Sequence, residues 1–532
     1  MSLARATAVM TVGTVLSRIT GLLRIAAIVA ALGVAEDRLS DTYNLGNTVP
    51  NIVYELILGG ILTSVFVPVF VQLLEKEGRD KAWVIASSII NISLIILTAV
   101  TVLGFFAAPL IAHVYTSGVP AEQAAVQRDV LTFLIRLFVP QIIFYGLTAL
   151  TAGLLNAHKR FGAPMYTPVL NNLAVIAIFI AFHQAYGEVG GIANVSRWQL
   201  VVIGGGTTLG VALMAIAQLP FLRGLGHYSF TLSGIRHPAV KNLAKLSMFV
   251  IAYVIVNQIG YLIVQILAAS NRGDFAAYIT AFTFFMLPHG LFAVSIITAL
   301  LPGMSELAVT EKWDEFRARL STGIRTTALL IFPAAIGYLV LGKPIVRFML
   351  ERGVMTAEST DLVAAVLRLF VIGLLPFSLF QLFLRAFYSL QNTKTPFLIN
   401  CAAVGLNTAV NLAVYGRFGV EGLAAGHAAA YTFGAFLQAR SLSKRIGGLD
   451  GRAIARSVGR IAIAAAGMGV LVWLTSRALE GVLEPTFVGQ TVGLLVPVAI
   501  GVVSYLVLAR LLRVPELDYA KGLLARRLVK GD

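Results

Sequence analysis

The sequence predicts an all-α polytopic membrane protein of about fourteen transmembrane helices, arranged as two parallel six-helix lobes followed by a C-terminal helix pair. Three observations carry this reading. Hydrophobic residues fill 58% of 532 positions and charged residues 12%, against roughly 25% charged residues in soluble domains. Apolar runs of about 20 residues recur, each long enough to cross a hydrocarbon core of roughly 30 Å. Blocks of sequence also return at one long interval.

In chain order the expected spans centre near Ile19, Leu62, Leu97, Phe144, Val175, Val211, Tyr253, Phe292, Pro333, Leu374, Val404, Tyr431, Val470 and Ile500. The first carries Arg18 where the apolar region of a cleavable signal would continue, so it is expected to remain as a helix. Lys and Arg alternate between loops. About 25 lie in 76–81, 158–160, 223–245, 312–325, at Lys394, in 440–456 and in the tail after 509, and about nine lie in the other set. The positive-inside rule therefore places the first set and both termini in the cytoplasm, as an even span count requires. A net charge of +16 distributed this way reflects membrane orientation and argues against a nucleic-acid partner. The basic tail, with Arg526, Arg527 and Lys530, either lies against anionic headgroups or is solvated. Cys401 is the single cysteine and falls in an expected span, so there is no disulfide framework.

Arg136-Leu137-Phe138-Val139 in the fourth span returns as Arg368-Leu369-Phe370-Val371 in the tenth, and Pro164 returns as Pro396, a shift of about 232 residues. Stretches 43–68 and 278–302 are offset by nearly the same amount, with Thr63 and Thr298 in register. A shift of six spans preserves topology, so the halves relate as parallel bundles, and such pairs bind substrate between them near the midplane. The expected division is 1–222, 223–452 and a terminal pair with basic tail, 453–532.

Arg18 and Arg24 lie inside the first apolar run. A guanidinium at membrane depth costs several kcal/mol, so such residues usually face a wet interior or an anionic ligand. The bland reading is that Asp41 or Glu55 merely neutralises them. On the second span Asp41, Asn44, Asn47 or Thr48, Asn51 and Glu55 follow at steps of three or four, which puts them on one face over roughly 21 Å. That face either lines a cavity or hydrogen-bonds to another helix. Weaker stripes are Gln258, Tyr261 and Gln265 on the seventh span and Asn400, Asn407 and Asn411 on the eleventh. Arg136 and Arg368 lie near the outer ends of their helices, where snorkelling explains them. Arg385 and Lys394 flank the inner end of the tenth span, with a structural and a functional reading equally open.

Catalytic motifs are lacking. His289 and His427 have no partner at ligand spacing, so no metal site is expected. The stretch 337–344 nearly spells a phosphate-binding loop but ends in Pro344 where Ser or Thr should hold magnesium. A membrane transferase acting on polyprenyl phosphates would want clustered carboxylates on a cytoplasmic loop, and Asp80, Asp314 and Glu315 do not supply them.

Ser17-Arg18-Ile19-Thr20-Gly21 followed by Arg24, Asp41, Val49-Pro50-Asn51 and the stretch 60–68 resembles the opening signature of the MurJ (MviN) lipid II flippases, in the multidrug/oligosaccharidyl-lipid/polysaccharide exporter superfamily. Leu155-Asn156 through Arg160-Phe161 and Pro164, and Phe387 through Pro396, resemble two further blocks. The stretch 51–67 looks like the actinobacterial branch. The resemblance implies fourteen spans in two lobes plus a terminal pair that shapes a groove for a polyprenyl tail. It also implies export of lipid II, the undecaprenyl-pyrophosphate disaccharide pentapeptide, in a bacterial cytoplasmic membrane and in dependence on membrane potential. No cofactor is expected, and coupling to a monovalent cation is left open. Arg18, Arg24 and Asp41 match functional positions of the family. The usual Arg-Arg pair is here Tyr54-Glu55, a following glutamate is Gly59, and an arginine often found in the eighth span aligns with Thr283.

The expectation is therefore a substrate site of Arg18, Arg24, Asp41, Asn44, Asn51 and Glu55, with Gln258, Thr283, Arg385 and Lys394 as secondary candidates. Arg18 and Arg24 would grip the pyrophosphate, and Asp41 and Glu55 would hold the empty site together. Membrane lipids and proteins of cell-wall synthesis or division are the expected neighbours. The rivals are a flippase for another polyprenyl-linked glycan and a drug or cation antiporter, whose cavity would be dominated by carboxylates.

Overall fold

The computed structural model describes residues 3–56, 70, 78–158, 160–233, 238–484 and 486–517. Gly59, the 60–68 stretch with Thr63, and Arg526, Arg527 and Lys530 lie outside the described residues. Within them the chain is helical throughout, with no strand.

The helices run in order: α1 (Leu3–Leu32), α2 (Leu39–Leu56), α3 (Arg79–Tyr115), α4 (Ala121–Phe138), α5 (Gln141–Ala157), α6 (Gly162–Tyr186) and α7 (Arg197–Leu222). They continue as α8 (Pro238–Ala268), α9 (Asp274–Val309), α10 (Trp313–Leu350), α11 (Ala357–Ile372), α12 (Leu374–Ser389), α13 (Lys394–Arg445), α14 (Gly451–Glu480) and α15 (Phe487–Leu511). Among the described residues ten stretches are long and apolar enough to cross a membrane, and α11–α12, bent by 47°, forms an eleventh. The 52-residue α13 is two helices meeting at Gly419. With α2 and α8 included, fourteen transmembrane helices result.

The internal repeat is visible in the breaks. The α4–α5 span is interrupted at Val139-Pro140, and the α11–α12 span is interrupted at Gly373, the corresponding place. Phe138 and Phe370, equivalent in the repeat, are both fully buried. Helix α6 stops at Gly187 (φ 61, ψ −141), and the first half of α13 stops at Gly419 (φ 53, ψ −142). Only glycine adopts that conformation without strain, because a Cβ would collide with the backbone.

Contacts group the described chain into two compact units, 1–276 with 352–359, and 277–351 with 360–532. By contacts the seventh span, α8, groups with the first six. The physical reason is polar. The Arg38 guanidinium, 5% exposed, donates to the carbonyls of Ala269 (3.0 Å) and Ser270 (3.1 Å) just after α8 and to Gln123 Oε1 (2.6 Å) on α4. In the first unit α1 lies along α6. A Cβ at Gly13 would stand 2.8 Å from that of Met165, so glycine permits the approach. Asn172 Nδ2 donates to Ser17 O (3.2 Å) and Thr20 Oγ1 (3.0 Å), locking the two helices at mid-length.

In the second unit α14 and α15 pack on α10 through a cluster that includes Leu329, Leu341, Ile461, Met468 and Tyr505. The Tyr505 hydroxyl donates to Leu329 O at 2.7 Å. Buried Glu516 accepts from Arg325 Nη1 and from Ser457 Oγ, both at 2.5 Å. An apolar face and a buried carboxylate thus tie the terminal pair to α10 within one unit.

Candidate functional site

Helix α1 brings Arg18 and Arg24 to the surface of the first unit, six residues and about 9 Å apart along the axis. Arg18 is exposed and Arg24 is half-buried. Neither has a carboxylate within 4 Å among the described residues, and the buried Arg24 Nε has no hydrogen-bond partner among them. The Arg24 charge lies within electrostatic reach of the phenols of Tyr43 and Tyr145. Tyr43 is itself held by Thr207 Oγ1 at 2.8 Å and packs edge-on against Phe138 and Phe179. A half-buried cation with one donor unmatched can accept an anion.

The acidic residues are placed differently. Asp41 is fully buried, and its carboxylate accepts from the backbone N–H groups of Gly273 (2.7 Å) and Ala276 (2.8 Å). It therefore caps the first turn of α9, where a negative charge also suits the helix dipole. The structure does not bring it to Arg18 or Arg24. Glu55, on the exposed end of α2, accepts from Gln258 Nε2 at 2.8 Å. Two turns nearer the helix start, Thr48 hydrogen-bonds Tyr261. The stripes of the second and seventh spans thus meet each other over part of their length, as the inter-helix alternative anticipates. Asn44 and Asn51 turn their amide nitrogens back to Ser40 O (2.9 Å) and Asn47 O (2.7 Å). Tyr54, in the place of the family's first arginine, stacks on Tyr145 with centroids 4.4 Å apart.

The remaining candidates belong to the second unit. The Thr283 hydroxyl donates to Ile279 O at 3.0 Å within its own helix. Arg385 is exposed, with its guanidinium 5.8 Å from the Tyr388 ring centroid, and Lys394 is exposed at the start of α13. His427 is enclosed by the rings of Phe282, Phe285, Phe370, Phe377 and Tyr431. His289 Nδ1 meets Ser378 Oγ at 3.0 Å.

Sequence reasoning misses Arg38 and Glu36. Arg38 stands three residues before Asp41, immediately ahead of α2, the one signal that could have found it. Glu36 Oε1 accepts from Thr356 N (2.7 Å), Thr356 Oγ1 (2.8 Å) and Ser359 Oγ (2.7 Å), and its Oε2 accepts from Val34 N (2.5 Å). Thr356 sits at the start of α11, so Asp41 and Glu36 serve α9 and α11 in the same way. Burial pushes the Glu36 carboxyl up, but the four hydrogen bonds outweigh it and hold the group below its ordinary value of 4.5.

Comparison with known proteins follows this geometry. The family model described as lipid II flippase MurJ matches residues 28–493, beginning just after Arg24. The chain is 30% identical over 424 residues to the lipid II flippase MurJ of Burkholderia cenocepacia, covering 78% of each. It is 27% identical over 537 residues to a probable lipid II flippase MurJ of Synechocystis sp., covering 97% of this chain and 96% of that one. Among solved structures, a lipid II flippase MurJ in an inward closed conformation superposes with a TM-score of 0.76 at 23% identity, over 94% of this chain and 98% of that one. An inward-facing multidrug resistance MATE family transporter of the MOP superfamily gives 0.66 at 12% identity, over 82% and 98%. These two likenesses are of fold.

Proposed function

The chain belongs to the lipid II flippase MurJ family, and from that membership we propose that it moves lipid II across the bacterial cytoplasmic membrane with Arg18 and Arg24 holding the pyrophosphate. It is a transporter rather than an enzyme. The observation that supports the site is the Arg24 guanidinium, half-buried on a membrane helix, with no carboxylate near it and a buried Nε unmatched among the described residues. Such a group gains most from a doubly charged diphosphate, which takes the guanidinium fork in paired, charge-assisted hydrogen bonds. Asn44, Asn51, Glu55 and Gln258 are the further polar candidates on the first unit; Thr283, Arg385 and Lys394 are secondary candidates on the second unit, considered by itself. Asp41 acts by positioning α9.

The cycle we propose is alternating access, in which the polar headgroup crosses inside protein while the polyprenyl tail stays in lipid. Membrane potential drives it, with a monovalent cation as the coupling candidate. The basic loops and both termini face the cytoplasm, where enzymes that make lipid II are the natural partners.

The test is lipid II exposure in the outer leaflet of cells depleted of the chain and complemented with wild type, Arg24→Ala or Arg24→Lys. Loss of one charged hydrogen-bonding group costs about 1.5–3 kcal/mol, so Arg24→Ala should cut transport roughly 10- to 100-fold at unchanged membrane levels. Arg24→Lys should recover part of it. Full transport by Arg24→Ala would remove the anion site. Accumulation of a different glycan precursor on depletion would remove the lipid II assignment.

A further inference from the structure

Between α7 and α8 the chain does not simply turn. Residues 224–231 lie as an extended strap along one face of α3, fastened at several points. Trp83 Nε1 and Arg79 Nε donate to Leu225 O at 2.9 and 2.7 Å. Ser229 N donates to Ser87 Oγ at 3.1 Å, and Asn91 Nδ2 donates to the carbonyls of Ser229 (3.1 Å) and Thr231 (2.9 Å). The Tyr228 hydroxyl donates to Asn91 Oδ1. Asn91 is 2% exposed, so its amide is spent on fixing the strap.

Beyond that fastening the strap and the helix diverge and leave a cavity of about 280 Å³ lined by Asn91, Leu94, Ile95, Thr98, Tyr228 and Phe230. Its wall is almost wholly apolar, with the polar groups of Asn91 already paired. Phe230, at its rim, is 83% exposed and Ile95 is 51% exposed, so the cavity opens on the outer surface of the helix bundle. Volumes of about 300–1,000 Å³ hold compact drug-sized ligands; this one is below that range and suits the end of one hydrocarbon chain, not a disaccharide.

Position along α3 identifies what such a chain is attached to. Lys81, exposed at the start of the helix, and Ile95 are fourteen residues apart, a distance of about 21 Å at 1.5 Å per residue. One leaflet with its headgroups measures about 20–22 Å, half of the 40–45 Å bilayer. A lipid whose chain ends at Ile95 therefore has its headgroup at Lys81. That end carries the exposed cations Lys81 and Arg223, beside Arg79, whose guanidinium is fastened to the strap, with Asp80 as the adjacent carboxylate among the described residues, together with the exposed ring of Phe221. Exposed cations with an aromatic ring beside them are the signature of an interface that favours acidic headgroups. We infer that the α3 strap forms a binding site for one anionic phospholipid, with an acyl chain in the cavity and the headgroup on Lys81 and Arg223.

The full chain, delipidated in detergent and titrated with dioleoylphosphatidylglycerol or dioleoylphosphatidylcholine, is followed by native mass spectrometry. The first phosphatidylglycerol should bind at least about tenfold more tightly than phosphatidylcholine. Ile95→Trp, which fills the cavity from an exposed position, should weaken that first adduct by a similar factor with unchanged thermal melting. Phe230→Ala, at the rim, should weaken it through the lost wall and serves if Ile95→Trp misfolds. Lys81→Ala with Arg223→Ala should abolish the headgroup preference and leave chain binding. Equal affinity for the two lipids, or a first adduct indifferent to both cavity variants, overturns the inference. Preferential binding of undecaprenyl phosphate with the same Ile95 dependence would overturn it in favour of the carrier lipid.

Discussion

Charged side chains on α1, α2 and their connection fall into two groups with opposite chemistry. Glu36 and Asp41 accept hydrogen bonds from chain segments that start other helices, and Arg38 donates to the carbonyls just after α8. Removing any of them would leave buried donors or acceptors unpaired, so they are structural by energy as well as by position. Arg18 and Arg24 lack carboxylate partners among the described residues, and the buried Arg24 Nε has no hydrogen bond there, which is the basis of the proposed anion site. Glu36 also makes one contact sensitive to pH. Its carboxyl is held below the ordinary 4.5 by hydrogen bonds that only the anion accepts fully. A carboxyl depressed in the fold contributes stability above its unfolded value, and the contribution is lost as pH falls through the lower folded value. Hydrogen exchange of 353–359, in membrane-mimetic discs and corrected for the intrinsic rate, should thus show constant protection from pH 7 to about 5 and loss of protection below about 4.5. Glu36→Gln should show weakened protection throughout and no such transition. Retained protection in wild type at low pH would deny the carboxylate its role. Arg18, Arg24 and Asp41 were legible because a charge within an apolar run is conspicuous. The use of Arg38 and Glu36 was not, since their partners stand as far as 232 and 323 positions away.

Among the elements, the broken spans carry the information. The α4–α5 and α11–α12 breaks and the glycines at 187 and 419 occupy equivalent places, so the duplicated blocks preserve backbone geometry as well as side chains. At Gly419 a positive φ with ψ near −142° excludes a Cβ, whatever space surrounds it. Gly419→Ala should therefore cost about 1–3 kcal/mol, read as a lower melting temperature in detergent, whereas Gly416→Ala, helical and with open space at the Cβ position, should be near neutral or stabilising. Equal melting temperatures would show that α13 bends by another means. The repeat blocks revealed this division from sequence, because identical local sequence returned at one interval. The destination of the polar stripes stayed open in sequence: helical periodicity tells which residues share a face, but not which helix or cavity that face meets. The structure answers for Glu55 with Gln258 and for Thr48 with Tyr261.

For the whole molecule, alternating basic loops predict an orientation that labelling can check. In a Cys401→Ser background, Ser117→Cys in the α3–α4 connection should react with an impermeant maleimide on spheroplasts, and Thr310→Cys in the α9–α10 connection only after permeabilisation. The reverse pattern would invert the topology. Composition, apolar periodicity, loop charge and the repeat sufficed to determine a helical membrane protein of fourteen spans in duplicated halves, because bilayer thickness and backbone hydrogen bonding allow few alternatives. The opening arginines and their neighbouring motif sufficed to point to the flippase family. Tertiary structure alone decided that α8 groups with the first six spans, that the terminal pair joins α10 in one unit, and that Asp41 caps the first turn of α9. Each of those outcomes depends on which buried donor finds which distant acceptor, and no local pattern along the chain encodes that pairing.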